Sequence, residues 1–518
     1  MIVSKIRHIR WIVPICLFVT FGLWLLWWTT HNPLPDGYQN EYLHVGNAFD
    51  IYEAVISLDW WHIRWYAYTS YWPWGFYAVP LVGLLPFGKG ISALILSNLL
   101  YLLVLIWAMQ RLGALLQRPL ALGILLFSPA VFGAMTRFEP NFANVALMAV
   151  GMLCLIESKE FHHRGWTIGW GMALGIGLML DRLTLLFFLF PPVLPIILKN
   201  RGLSLVRRNV LWGVGTVFIL TIAYYREFFL RHSQELISQA PVGEIDAAGI
   251  LVESVNPVPS LYYVLSLFDN QQGYVIALLS LFGLMVSLRT RDRMDRTLLW
   301  SMVPGTVFFT LVAKKQVYYT FPILIPLSLM AARFGRWSWL GVAAGFGLWL
   351  QQGWGILPTS VPLNPPMPDR IVAPRYLLAR PPTAQSYSVD AMVAHIDGQP
   401  KEVIVFSEDQ GWYEGFVVLQ LREHLSGHIR GVTADPTGIW EFKDQAEYLI
   451  WVRPTSSMET FPKGGKITAE LLSDHYTLDE LPDLSTAIPA MYTEFTLLDT
   501  WQSQEDSQIS IFARKSQP

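Results

Sequence analysis

What most constrains this chain is a series of long apolar runs separated by short charged turns. Apolar segments fall at Trp11–Trp28 and at roughly 91–110, 119–135, 141–157, 166–180, 183–198, 209–225, 274–289, 297–313, 318–334 and 338–357. A run of about 15 to 20 apolar residues matches the thickness of a bilayer core once it is coiled into a helix. Eleven such segments make the first part of the chain a polytopic helical membrane protein, mostly α. The composition agrees, with 53% hydrophobic and only 15% charged among 518 residues. The net charge of -2 argues against a nucleic-acid partner. Cys16 and Cys154 both lie in apolar runs, so neither a disulfide framework nor a zinc cluster is available.

Basic residues set the orientation. Alternate turns carry Arg111/Arg118, Lys159/Arg164, Lys199/Arg201/Arg207/Arg208, Arg289/Arg291/Arg293/Arg296 and Arg333/Arg336. With Lys5, Arg7 and Arg10 before the first segment, they fall on the N-terminal side, which the positive-inside rule assigns to the cytoplasm. The first segment is bulky in Trp and lacks a small-residue cleavage site, so it reads as an uncleaved span. The run 166–198 admits two readings, one long span or two short helices turning at Asp181-Arg182. The basic turns favour two helices of about 15 residues, roughly 22 Å each, which sets Asp181-Arg182 in a depression below the outer surface.

The loops on the other side are long. Residues 30–90 hold an amphipathic stretch at Gln39–Asp59 and an aromatic cluster at Trp60, Trp61, Trp65, Tyr66, Tyr68, Tyr71, Trp72 and Trp74. The first fits a helix on the membrane surface and the second an interfacial anchoring belt or a floor for a lipid or sugar. The proline-broken run from Tyr71 to Gly88 reads as a short interfacial helix. Residues 226–273 form a second outer loop with Glu244, Asp246, Glu253 and a surface helix expected near 259–269; its length suits a lid or an acceptor-binding loop. After about 357, a Pro-rich linker leads into a small α/β domain that eleven spans place outside the cell, in 358–518. Strands are expected at Glu402–Phe406, Ile429–Thr433, Glu447–Val452 and Ile509–Ala513, with a helix near 412–426.

On this topology, several charges share the outer side: Asp36 and Glu41 after the first span, Arg137 and Glu139, Asp181 and Arg182, and Lys314 and Lys315. Ionisable groups near membrane depth are costly and become functional candidates. Each also has a plain structural reading: a turn residue for Asp36, a surface-helix charge for Glu41, local ion pairs at 137–139 and 181–182, and headgroup contacts for the lysines. Together they suit transfer from a lipid phosphate. Arg or Lys stabilises the departing phosphate, and a carboxylate takes the proton of an attacking hydroxyl. A soluble nucleotide-sugar is lacking outside the cell, so the donor is expected to be membrane-linked. The outer carboxylates could also hold Mg²⁺ or Mn²⁺, although no dense oxygen-ligand motif is visible and no cofactor is assigned.

The ordered series Pro35-Asp36-Gly37-Tyr38-Gln39-Asn40-Glu41-Tyr42, Tyr71 to Gly88, Thr136-Arg137-Phe138-Glu139-Pro140, Gly175 to Arg182 and Lys314-Lys315-Gln316-Val317-Tyr318-Tyr319 to Pro326 resembles the GT-C superfamily of integral-membrane glycosyltransferases. The likeness covers about residues 10–335 and points to bacterial relatives of the protein mannosyltransferases and of the enzyme that adds aminoarabinose to lipid A. The resemblance implies a membrane-embedded catalytic domain over 1–357 and an inverting transfer of a hexosyl or pentosyl group from a polyprenyl-phosphate donor. The acceptor would be an extracytoplasmic glycan, lipid or protein, and the setting an inner or plasma membrane. It makes Asp36 the base or acceptor-orienting carboxylate, with Glu41 and Glu139 as further acidic residues. Arg137, Arg182, Lys314, Lys315 and Tyr319 become donor-phosphate ligands. A transporter or flippase of lipid-linked sugars and a non-catalytic envelope assembly protein are the competing readings.

Overall fold

A computed structural model describes residues 2–32, 39–69, 72–181, 183–200, 202–238, 261–290, 292–311, 317–357, 363, 389–396, 402–407, 421, 428–432, 447–454, 495–502 and 507–514. The chain divides into two compact units. The first comprises Met1–His31, Ala48–Gly88 and Ser92–Pro382; the second comprises Asn32–Asn47, Lys89–Ile91 and Thr383–Pro518.

The first unit is built of helices. Helix α1 (Ile2–His31) leaves Ile12, Val13, Ile15, Val19 and Leu23 exposed while burying Phe21, Trp24, Leu25 and Trp28. Apolar residues on both faces belong to a helix with protein on one side and lipid on the other. Helix α2 (Gln39–Ile56), which belongs to this unit from Ala48 onward, and α3 (Trp60–Thr69) follow. Asp59 starts α3 by accepting hydrogen bonds from the Trp61 and His62 backbone N–H groups, both at 3.1 Å. The His62 side-chain hydrogen bond holds the Asp59 carboxyl below its ordinary range. Trp60 and Trp61 stay about 70% exposed, as an interfacial belt requires. Helix α4 (Gly75–Phe87), with 13 residues, is too short to span.

Helices α5 (Ile91–Leu96) and α6 (Asn98–Leu115) form one apolar stretch. The segment 119–135 is two helices, α7 (Ala121–Leu126) and α8 (Pro129–Met135). Pro129 lacks the N–H that would continue α7, and it holds Ser128 extended (φ −75°, ψ 131°). Helix α9 (Pro140–Glu157) lies at the centre, with nearly every side chain buried, and packs against α6 and α10 (Arg164–Leu178). Helices α11 (Leu186–Leu189) and α12 (Val193–Lys199) are separated at Pro191-Pro192. Helix α13 (Ser204–Ser238) crosses α10 on glycines. A Cβ at Gly171 would lie 2.2 Å from the Gly213 carbonyl oxygen, so any larger residue forces the two backbones apart.

Helix α14 (Tyr262–Ser266) runs into a π-helical turn, Leu267–Gln271. Then come α15 (Tyr274–Thr290), α16 (Arg293–Trp300), α17 (Val303–Leu311), a 3-10 turn at Val317–Ile323 and α18 (Leu324–Ala331). Gly335 (φ 56°, ψ −115°) turns the chain into α19 (Ser338–Leu348), and α18 and α19 both pack on α15 and α7. Among the described residues, five stretches are long and apolar enough to cross a membrane: Ile12–His31, Ile91–Leu115, Pro140–Glu157, Ser204–Leu230 and Val317–Gly353. The last contains the bend at Gly335. Shorter apolar helices occur at Gly75–Phe87, Leu186–Lys199 and Tyr274–Thr290.

Charged turns meet at one end of this bundle. Arg111 Nη2 donates to Glu157 Oε1 at 2.9 Å. Glu160 accepts from Lys199 Nζ at 2.9 Å and forms an ion pair with Arg293 Nε at 3.2 Å. Asp295 accepts from Arg118 Nη2 and Thr290 Oγ1, at 2.9 and 2.8 Å, and from Arg333 Nη1. The turns after α6, α9, α12, α15 and α18 therefore lie together. The Glu160–Lys199 contact joins the start of α10 to the end of α12, so 164–199 runs out and back, turning near Asp181. Burial alone would raise the Glu160 and Asp295 carboxyls. Hydrogen bonds and charges from Lys199, Asn200 and Arg293, and from Arg118, Arg333 and Thr290, hold both below the ordinary range instead.

In the second unit, strands β1 (Glu402–Ser407), β2 (His428–Val432), β3 (Tyr448–Pro454), β4 (Phe495–Gln502) and β5 (Ser507–Arg514) form a sheet in the order β2-β1-β3-β5-β4. Strand β1 is parallel to β2 and β3, while β5 is antiparallel to β3 and β4. Strand β4 was not expected from sequence. A register shift between Leu497 and Asp499 interrupts the alternation that would announce it. A short helix, α20 (Val389–Ala394), precedes β1. The helix expected near 412–426 lies outside the described residues, apart from Leu421.

Candidate active site

The end of the bundle away from the ion-paired turns is polar but built differently. Helix α8 stops at Met135, and Thr136 to Glu139 link it to α9. Pro140 occupies the first turn of α9, where its missing N–H costs nothing, and holds Glu139 extended (φ −135°, ψ 156°). Asn98, at the start of α6, donates through Nδ2 to the carbonyls of Met135 and Arg137, at 3.0 and 2.9 Å. It thereby satisfies groups that the end of a helix leaves open. The Phe138 ring packs on Phe76, 4.8 Å between centroids.

Arg137 and Glu139 are both buried, Glu139 with only 4% of its surface exposed. Glu139 Oε2 accepts from Asn141 Nδ2 at 2.5 Å. One turn into α9, Asn144 Nδ2 donates to Asp181 Oδ2 at 2.6 Å. The N-terminal turns of α9 thus gather the acidic group at 139 and the one at 181.

A second polar group comes from the π-helical turn. Asp269, Asn270, Gln271 and Gln272 are all buried. Gln271 Nε2 reaches Ser266 Oγ (3.1 Å), the Val317 carbonyl (3.1 Å) and Thr320 Oγ1 (2.9 Å), pinning this turn to the 3-10 turn that carries Tyr319. The half-buried Tyr319 ring stacks on Phe309, with centroids 5.1 Å apart. The π turn also packs on α8, and the 3-10 turn packs on α9, so both polar groups occupy the same end of the bundle.

Of the residues singled out from sequence, Arg137, Glu139, Asp181 and Tyr319 fall in this cluster. Asp36, Arg182, Lys314 and Lys315 lie outside the described residues. Glu41 is in α2, and its side chain lies outside them too. Glu244, Asp246 and Glu253 are likewise outside. The surface helix expected near 259–269 is corrected: its C-terminal part is the buried π turn. Asn98, Asn141, Asn144 and Asp269–Gln272 were missed. Asn98, Asn141 and Asn144 carry the signal that finds them, since they are amides inside or at the start of apolar segments. Among the described residues, no three His, Cys, Asp or Glu come together as metal ligands.

A buried guanidinium beside a buried carboxylate can bind phosphate oxygens and orient a hydroxyl, and low polarity strengthens both interactions. Neither a family model nor a curated protein matches the chain. Solved structures do. ArnT from Cupriavidus metallidurans, in its apo state and bound to undecaprenyl phosphate, aligns with a TM-score of 0.59 in both cases, over 96% of this chain and 97% of that one, at 14% identity. An oligosaccharyltransferase from Archaeoglobus fulgidus aligns with a TM-score of 0.43 over 84% of this chain and 69% of that one, at 10% identity. Along nearly its whole length, the chain therefore has the fold of ArnT.

Proposed function

We propose that this chain is a membrane-bound glycosyltransferase that moves a hexosyl or pentosyl group from a polyprenyl-phosphate donor to an extracytoplasmic glycan, lipid or protein. The observation that carries this reading is the polar cluster of buried Arg137, Glu139 and Asp269–Gln272 with half-buried Asp181, at the bundle end opposite the ion-paired turns. Its fold is one that in ArnT accepts undecaprenyl phosphate. Charged groups spread along the bundle would suit a flippase better.

In the proposed step, an acceptor hydroxyl attacks the anomeric carbon in line with the departing phosphate. The new carbon–oxygen bond forms as the bond from anomeric carbon to phosphate oxygen breaks, inverting the centre. The Asp36 carboxylate takes the hydroxyl proton, and polyprenyl phosphate leaves as the anion. Arg137, Arg182, Lys314 and Lys315 stabilise that anion, with Tyr319 beside them. Glu41 and Glu139 orient the acceptor. A divalent cation held by the outer carboxylates would add to phosphate stabilisation.

The test uses purified protein in lipid, radiolabelled polyprenyl-phosphate sugars and a crude envelope extract as acceptor, with Asp36→Asn as control. Transfer by the wild type and none by the variant is expected. Equal transfer by both discards Asp36 as base. An intact donor across several sugars and acceptors discards the transferase and leaves flipping to be measured.

A further inference from the structure

The Gln272 side chain is fully buried, and neither its amide nitrogen nor its amide oxygen meets a hydrogen-bond partner within the protein. The neighbouring Gln271 spends its nitrogen on Ser266, Val317 and Thr320, but its amide oxygen is also unmet. Asn144, which donates to Asp181 at the same bundle end, has an unmet oxygen too. Folding normally leaves few such groups, because each one stripped of water without a replacement is destabilising. Here two consecutive residues of one turn have unmet amide atoms. The turn is π-helical, a local widening found often at functional sites.

We propose that the amide pair Gln271–Gln272 of this turn is the recognition site for the transferred sugar, reading the hydroxyl groups of a neutral ring. This proposal rests on the transferase reading above and adds the chemistry of the donor's sugar. A primary amide offers N–H donors and a carbonyl acceptor, and a sugar hydroxyl both donates and accepts. Gln272 can donate to one hydroxyl and accept from another, and the Gln271 oxygen can accept from a third. The two amides are uncharged and suit a hydroxyl; Asp269, the buried carboxylate of the same turn, is kept out of the subsite because it already interacts within the protein. The turn's link to the Tyr319 turn through Gln271 sets the sugar subsite against the residue expected beside the donor phosphate.

The full chain in nanodiscs is titrated with polyprenyl monophosphate, then with polyprenyl-phosphate mannose, glucose and galactose and with a polyprenyl-phosphate 4-amino pentose. Wild type is expected to bind at least one neutral sugar lipid about 10- to 100-fold more tightly than bare lipid phosphate, the range that two or three buried hydrogen bonds supply. Gln272→Met, close in shape but without the amide, is expected to lose that advantage and bind bare lipid phosphate as wild type does. Gln272→Glu serves as a second variant should the Met protein fail to fold. It is expected to weaken the neutral sugar by about 10-fold or more and shift preference towards the amino pentose. Retention of the neutral-sugar advantage by the folded variants overturns the subsite and assigns the amide to an internal water. The transferase reading survives that result. A wild type that binds lipid phosphate with no gain from any sugar overturns the subsite as well. A wild type that binds none of the lipids removes the transferase reading, and the subsite with it.

Discussion

Asn98 offers the sharpest test of how the candidate site is held. One amide nitrogen serves two backbone carbonyls, Met135 and Arg137, at 3.0 and 2.9 Å, and these flank the turn presenting Arg137 and Glu139. Asn98→Leu keeps the volume and removes the donor. Two carbonyls would then be buried without a partner, at about 1–3 kcal/mol each before the backbone relaxes. Relaxation is the functional part. If 136–139 shifts by about 1 Å to find new partners, catalysis of the proposed kind falls by about 100-fold. The expected phenotype is a loss of about 2–4 kcal/mol in stability, with kcat in the radiolabel assay falling far more than donor affinity. Asn98→Asp should be worse, because an ionised carboxylate brings only acceptors to two carbonyl oxygens. Thermal unfolding in nanodiscs and kcat at saturating donor read the two effects separately. An Asn98→Leu protein with unchanged kcat and Tm would refute the claim that this amide fixes the turn.

At the other end, Asp295→Ala should destabilise the bundle by about 3–5 kcal/mol, because it strands the Arg118 and Arg333 guanidiniums. In a double-mutant cycle with Arg118→Met, strict additivity would remove the pair. The pH dependence follows from the same groups. Asp295 and Glu160 have carboxyls depressed below their ordinary values of 3.8 and 4.5. Their contribution is present above those values and is lost as pH falls through the lower folded-state values. Thermal stability should therefore be flat near neutrality and drop below about pH 4, and Asp295→Asn should reduce the drop; an acid profile indifferent to that change would contradict it. Arg182→Ala or Lys315→Ala should raise the apparent KM for the lipid donor by about 10-fold or more, and unchanged donor kinetics would make those charges structural. Chelation should lower transfer, with recovery on adding Mg²⁺ or Mn²⁺, if the outer carboxylates hold a cation; activity unmoved by EDTA would dismiss that part.

Much of the helical architecture could be read from patterns that only a bilayer imposes. The basic turns at Arg118, Lys199, Arg293 and Arg333 marked one end, and the Glu160–Lys199 contact confirms that 164–199 doubles back. The same reasoning was weaker wherever helices break without a charge, as at Ser128-Pro129 and Pro191-Pro192. It failed at Asp269–Gln272. Four successive polar residues before an apolar run read as a surface loop, and burial there is decided by α8 and the 317–323 turn, which are remote in sequence. It also missed Asn98, an amide at the start of an apolar segment whose partners, two carbonyls 37 and 39 residues away, no local pattern names.

The two ends of the bundle differ in how they treat buried polarity, and the difference carries a functional argument. At the arginine-rich end, the buried Asp295 carboxylate accepts from two guanidiniums and a hydroxyl, and Glu160 accepts from Lys199 and Asn200 and pairs with the Arg293 guanidinium. These carboxylates are completed from within the chain, and at this end only the Asn209 amide oxygen stands among the unmet amide atoms of the described residues. Such a network rigidifies and asks for no ligand. At the far end, amides dominate, and Asn144, Gln271 and Gln272 retain unmet atoms despite full or near-full burial. A cluster left incomplete in this way remains destabilising until something polar enters it. The mechanical consequence is that the paired end can act as a fixed base while the far end tightens around its occupant. A neutral sugar lipid should then raise the Tm of the wild type more than bare lipid phosphate does, and Gln272→Met should erase that extra shift. An equal shift for both lipids in the wild type would mean that the unmet amides serve no substrate.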